Sequence, residues 1–185
     1  MNTKVFIDCG ANAGQSIDNF IKHWNDWAEY DILSFEPNPT LHENFKKYLK
    51  HENIKFFPVA TWIYDGDIDF YLSTQHTYGS SILNTKSGNS ATPIQVKCVD
   101  LDKIIRQYSI DDYIILKIDI EGGEYELLEF LLSKNTFDYV NVLYIEFHTH
   151  KVCKTIEDDK FLLNALAAYP NLKVISDSWN RLNFL

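Results

Sequence analysis

Cysteine is scarce in this chain: Cys9, Cys98 and Cys153 are odd in number, far apart and form no C-x-x-C pair. That excludes a disulfide framework and a zinc knuckle, and it predicts reduced thiols. Cations are also few, with 17 Lys and Arg against 26 Asp and Glu and a formal net charge of -9. A nucleic-acid binder needs clustered Lys and Arg to neutralise phosphates, and none cluster here, so no nucleic-acid partner is expected. No apolar run approaches the roughly 18 residues of a membrane span. The opening MNTKVFIDCG lacks the basic start, apolar stretch and cleavage site of a signal peptide, so we expect a cytoplasmic protein without a membrane partner. Repeats, low-complexity tracts and linkers are missing as well. With 185 residues, 45% of them hydrophobic, the expectation is a single domain over residues 1–185 around one core.

What is present is an alternation of strand-length apolar runs with amphipathic stretches, the pattern of strand-helix-strand units around a parallel sheet buried on both faces. KVFIDC reads as the first strand, and SIDNFIKHWNDW as a helix burying Ile17, Phe20, Ile21 and Trp24. DILSFEP is the second strand, stopped by Pro37 and Pro39, and TLHENFKKYLKH a helix with Thr40 as its cap. IKFFPVAT is read as a third strand, and Asp65-Gly66 as a tight hairpin turn between two alternating runs. TQHTYGSSILNTKSGNSATP has no period and reads as a long loop, a candidate lid or substrate contact. DYIILKIDIEGGEYELLEFLLSK supplies the most continuous strand, expected at the sheet centre, then a Gly-Gly break and a helix. YVNVLYIEFHTH is another buried strand, IEDDKFLLNALAAY a helix, and LKVISDSWNRLNFL a closing two-strand hairpin.

In a parallel sheet, ligands bind beyond the carboxyl ends of the strands. Asp8, Gly10, Asn12, Gly14 and Gln15 fall there, on the stretch FIDCGANAGQS. A dinucleotide fingerprint G-x-G-x-x-G needs a middle glycine so that backbone can approach pyrophosphate, but GANAG puts Asn12 in that place. Asp8 just ahead of the loop would repel a pyrophosphate and favour a cofactor with a cationic end, such as S-adenosylmethionine. The competing account is an ordinary strand-to-helix turn. Glu36 closes the second strand near the spacing, about 20 residues on, at which a carboxylate accepts ribose hydroxyls; a solvated strand-end acid is the alternative.

LKIDIEGGEYELLE places Asp119 and Glu121 at a strand end and Glu124 in the first turn of a helix, where an acid also favours the dipole. Alternation points Lys117 and Asp119 to one face, so an ion pair between them competes with a functional role. Glu146 and His148 reach the neighbouring strand end. His148 is positioned to remove a proton, or to join Asp119 and Glu146 around a divalent ion; no metal is favoured. His150 and His76 are weaker candidates. Thr61 closes the third strand as a cofactor-contact candidate, and Trp62 follows it, packing either on adenine or in the core.

FIDCGANAGQS, SFEPNP, DGDIDFYLS, VDLDKII, LKIDIEGGEYELLE and YIEFH, in this order over residues 4 to 150, resemble the FkbM family of S-adenosylmethionine-dependent methyltransferases. The resemblance implies an α/β, class I methyltransferase (Rossmann-like) fold: a mostly parallel seven-stranded sheet, helices on both faces and an antiparallel C-terminal strand. It implies O-methylation of a sugar, glycan or small natural-product hydroxyl. It assigns Asp8, Gly10, Asn12, Gly14 and Ser16 to the cofactor loop, Glu36 to ribose and Asn38, beside Pro37, to its rim. Asp119, Glu121 and Glu124 match the family's second signature, and Glu146 and His148 its following strand. Asp119 and His148 are the expected base, assisted by Glu146. The rivals are a nicotinamide-dependent oxidoreductase, a non-catalytic Rossmann-like binding domain and, further off, a nucleic-acid methyltransferase.

Overall fold

The structure, a computed structural model, describes residues 2–74, 79–84, 90, 92–149 and 152–176. Its main sheet uses the apolar runs that carry hydrophobic residues on both faces: β1 (Lys4–Cys9), β2 (Tyr30–Phe35), β3 (Ile54–Phe57), β7 (Tyr113–Ile118), β8 (Val142–Ile145) and β9 (Lys173–Ile175). Three further strands, β4 (Ala60–Trp62), β5 (Gly66–Phe70) and β6 (Ile94–Asp100), form a second sheet. The main sheet runs in the order β3-β2-β1-β7-β8-β9 and every neighbouring pair is parallel. This is the doubly wound, Rossmann-like order, whose winding reverses between β1 and β7 and opens a crevice there.

Six strands of the main sheet lie among the described residues. The expected closing hairpin begins as β9, parallel to β8, and its second half, with the antiparallel strand, falls outside them.

Alternation along β1 sends Val5, Ile7 and Cys9 into one core layer and Phe6 into the other. The first layer is closed by α2 (Leu101–Ile105), α3 (Glu124–Ser133) and α4 (Ile156–Leu166), through side chains such as Ile105, Leu128, Leu131 and Leu166. The second is closed by Ile17 and Phe20 of α1 (Gln15–His23) and by Phe45 and Tyr48 of the 3-10 segment Pro39–Tyr48. Ile21 and Trp24 are only partly buried. That 3-10 segment replaces the expected helix, and its cap is Asn38, whose side chain accepts from the Thr40 amide at 3.1 Å, with Pro39 in the first turn.

At two places the chain departs from the pattern its sequence predicts. IKFFPVAT is two strands in two sheets, because Pro58 has no amide to continue the ladder. Asp65-Gly66 does not close a hairpin: β6 lies between β4 and β5, parallel to the first and antiparallel to the second. Asp65 instead accepts from the Asp100 amide at 2.9 Å and from Lys103 Nζ at 2.7 Å. Among the described residues no helix is long and apolar enough to cross a membrane. Cys9 and Cys98 are buried free thiols and Cys153 is exposed; burial pushes the Cys9 thiol up to about 12, so it is inert.

Candidate active site at the strand switch point

The site is built where β1 and β7 part. Leaving β1, the chain turns at Gly10 (φ 81), passes Asn12 (φ 51) and Gly14 (φ 91), and enters α1. The amides of this loop are committed inside the protein. Those of Gly10 and Ala11 donate to Phe35 O at 3.1 and 3.0 Å, that of Asn12 to Glu36 Oε2 at 2.8 Å, that of Ala13 to Gln15 Oε1 at 3.1 Å and that of Gly14 to Ala11 O at 2.8 Å. A pyrophosphate cradle needs such donors aimed at the ligand. Here the first three hold the loop to the end of β2 and the other two close it on itself and on Gln15.

An open pocket of about 630 Å³ lies beyond the loop. Of the predicted cofactor residues, Gly10, Asn12, Glu36, Pro37, Asn38, Thr61, Asp119 and Glu121 line it. Leu41, Ala60, Phe70, Ile82 and Ile120 add an apolar wall that the sequence reading did not single out. Gly79, Ser80 and Ile82 come from the long loop expected to contact substrate; its residues 75–78, 85–89 and 91 lie outside the described ones, as do His76 and His150. Glu36 is 7% exposed and accepts from the amides of Asn12 and Asn38, both at 2.8 Å. Burial pushes its carboxyl up to about 7, against the pull of those two hydrogen bonds. Among the described residues, Asn12 Oδ1 is buried without a hydrogen-bond partner and the buried Thr61 hydroxyl has only the weak Cys9 thiol beside it. Both are candidates for a ligand to satisfy.

Five expected cofactor residues stand back from the pocket. Trp62 is buried in the core, its ring against Gly123, so core packing rather than adenine contact is what the structure gives it. Gln15 is exposed and holds the Ala13 amide. Gly14 packs on Tyr48, whose hydroxyl donates to Gly14 O at 2.7 Å. Ser16 donates to Asp8 Oδ2, a very short contact. Asp8 itself is fully buried, with Ser34 Oγ at 3.3 Å from Oδ2 and Lys117 Nζ at 3.1 Å from Oδ1. It faces Lys117 rather than the pocket because β1 and β7 set the two residues in register.

Across the crevice, Asp119 follows the end of β7 with its side chain 27% exposed, 3.4 Å from Lys117 Nζ. Burial opposes the charge on Lys117, but Asp8 and Asp119 outweigh it and hold the ammonium firmly protonated. Glu124 is not a solvated helix-start charge: it is fully buried and accepts from the amides of Ile120 at 3.0 Å and Gly122 at 2.8 Å. Its Oε1 also takes His148 Nδ1 at 2.8 Å. His148, 2% exposed, turns Nε2 to Glu121 at 3.5 Å and Asp119 at 3.7 Å. Burial works against its proton, but the Glu124 hydrogen bond and the charges of Glu124, Glu121 and Asp119 raise its pKa above the usual histidine value. Glu146 is half-buried and does not line the pocket; burial, then the Asp119 charge, raises its pKa.

The three ligand atoms of Asp119, Glu124 and His148 come within 4.8 Å of one another, so Glu124, not Glu146, is the third group of the arrangement expected around a divalent ion. Glu124 already serves two amides and the imidazole.

A six-stranded parallel sheet in this order, with an acid-lined pocket at its switch point, defines a Rossmann-like α/β domain. The chain belongs to the FkbM methyltransferase family, whose model, described as the methyltransferase FkbM domain, matches residues 8–169. No curated protein matches it. Two solved structures are similar over part of their length. The methyltransferase FkbM of Methylobacillus flagellatus is 16% identical, with a TM-score of 0.46, over 74% of this chain and 30% of that one. The transcriptional regulator Gal80p of Kluyveromyces lactis is 12% identical, with a TM-score of 0.47, over 95% of this chain and 33% of that one. The chain thus spans about a third of each of them.

Proposed function

We propose that this methyltransferase-family chain is an S-adenosylmethionine-dependent O-methyltransferase acting on a hydroxyl of a sugar, glycan or small natural product. The observation that carries this reading is the loop in which every amide from Gly10 to Gly14 is already bonded within the protein, above a pocket lined by Glu36, Asp119 and Glu121. Such a site offers a pyrophosphate three acids and no loop amide, which disfavours the nicotinamide rival. It suits an adenosine bearing an ammonium and a sulfonium.

The residues present fit that group. Glu36 would accept the ribose hydroxyls, the apolar wall of Leu41, Ala60, Phe70 and Ile82 would cover adenine, and the orphaned Asn12 Oδ1 would take an ammonium proton. When bound, the cofactor supplies a methyl group on a positively charged sulfur, open to attack by an oxygen. The chain's part is to align the acceptor and remove its proton. Asp119 reaches the pocket and would receive that proton. His148, whose proton is favoured by the three carboxylates around it, would orient Asp119 from behind.

Methyl-labelled S-adenosylmethionine incubated with carbohydrate extracts and small alcohols, followed by mass spectrometry, tests the reading. Labelled O-methyl product is expected. Donor binding with no product across the panel, and no change on Asp119→Ala, would leave a non-catalytic binding domain.

Glu36 carries a separate prediction. Ribose hydroxyls donate to the ionised carboxylate, so affinity for adenosine should rise as pH passes through about 7 and level off above it. The same raised pKa makes Glu36's contribution to fold stability full below 4.5 and lost as pH rises through about 7. Glu36→Gln should flatten the affinity profile and weaken adenosine about 100-fold, roughly 3 kcal/mol for bonds to a charged acceptor. Calorimetric titrations between pH 5 and pH 9 check both.

A further inference from the structure

Three charged groups cross the switch point in a line. Asp8 and Lys117 are in register on β1 and β7, 0% and 4% exposed, and Asp119 follows Lys117 on the same face. The Lys117 ammonium lies 3.1 Å from Asp8 Oδ1, 3.4 Å from Asp119 Oδ2 and 3.1 Å from Gly10 O, so it is shared between a sealed acid and an acid that reaches the pocket. Two carboxylates against one ammonium leave the trio with a net charge of -1. Because the ammonium is divided between Asp8 and Asp119, it does not cancel both carboxylates, and net negative charge is left for whatever enters the pocket beside Asp119.

We propose that Asp8, though fully buried, sets the pocket's preference for a cationic ligand by holding the Lys117 charge away from Asp119. This rests on the methyl-donor reading above. Asp8 is a positioning residue here, acting through Lys117 and never touching the ligand. Its other oxygen accepts from Ser16 and Ser34, bonds that an asparagine oxygen also accepts, so Asp8→Asn removes charge while keeping them. The variant turns the trio neutral, and at low local dielectric that change is felt across the short distance to the pocket. Glu36, Glu121 and His148 also face this region and are unchanged in every variant below, so they cancel in the comparison.

The test compares two ligands by calorimetry: S-adenosylmethionine, and S-adenosylhomocysteine, which lacks the sulfonium charge. Asp8→Asn should lower the affinity ratio of the first over the second about tenfold. Asp8→Asn combined with Lys117→Met returns the trio to -1 and should restore the ratio. A structural role for Asp8 would weaken both ligands together, so an unchanged ratio in the single variant, or no recovery in the double one, overturns the proposal. If Asp8→Asn does not fold, Lys117→Met alone serves: its trio carries -2, the ratio must rise, and a ratio that stays or falls is equally fatal. A wild-type protein that binds neither ligand would instead remove the methyl-donor reading itself, and the proposal with it.

Discussion

Asp119→Asn is expected to lower kcat by about 10²–10⁴-fold, the range for loss of a positioned general base. Asp119 is the one member of the Asp119, Glu124 and His148 cluster that lines the pocket, whereas Glu124 is sealed and His148 is 2% exposed behind it. Asparagine preserves the shape of the side chain but cannot accept the acceptor's proton. His148→Gln should cost less, about tenfold, because it removes the partner 3.7 Å from the Asp119 carboxylate and leaves the carboxylate itself. Single-turnover rates with melting curves recorded alongside separate the two. A His148 variant worse than the Asp119 variant would move the base to His148.

Gly10→Ala should destabilise the fold by about 3–5 kcal/mol and abolish ligand binding. A methyl group there would lie 1.9 Å from Asp119 O, a backbone atom at the strand end that cannot swing aside, and φ 81 is a left-handed conformation that alanine resists. Gly14→Ala is the control. Its φ of 91 brings similar backbone strain, but the new atom meets the Tyr48 hydroxyl, 2.5 Å away, the end of a side chain rather than backbone, so a smaller loss of about 1–3 kcal/mol is expected. Chemical denaturation of both variants measures the difference.

The parallel sheet could be read from the sequence because strands buried on both faces, such as YIILKI, appear as unbroken apolar runs flanked by amphipathic stretches. Its register could not. Parallel strands joined by distant crossovers leave no periodic mark of which residues meet, so Asp8 facing Lys117 was invisible, and Asp8 was expected to face a ligand. The same gap hid Glu124, whose place in the first turn of a helix has an adequate local explanation until Ile120, Gly122 and His148 are seen around it. Glu36 and Asn12 were legible because the turn after β1 and the end of β2 converge wherever the first two parallel strands are adjacent. The apolar wall was not, since Phe70 and Ile82 reach the pocket from the second sheet and the long loop, whose order against the main sheet rests on tertiary packing alone.

Calorimetry of the wild-type protein with S-adenosylmethionine and, separately, with reduced nicotinamide dinucleotide tests the central claim, that this pocket receives a cationic adenosyl ligand rather than a diphosphate. The account predicts saturable binding of the first and no heat from the second beyond dilution. Binding of the dinucleotide without S-adenosylmethionine would contradict it.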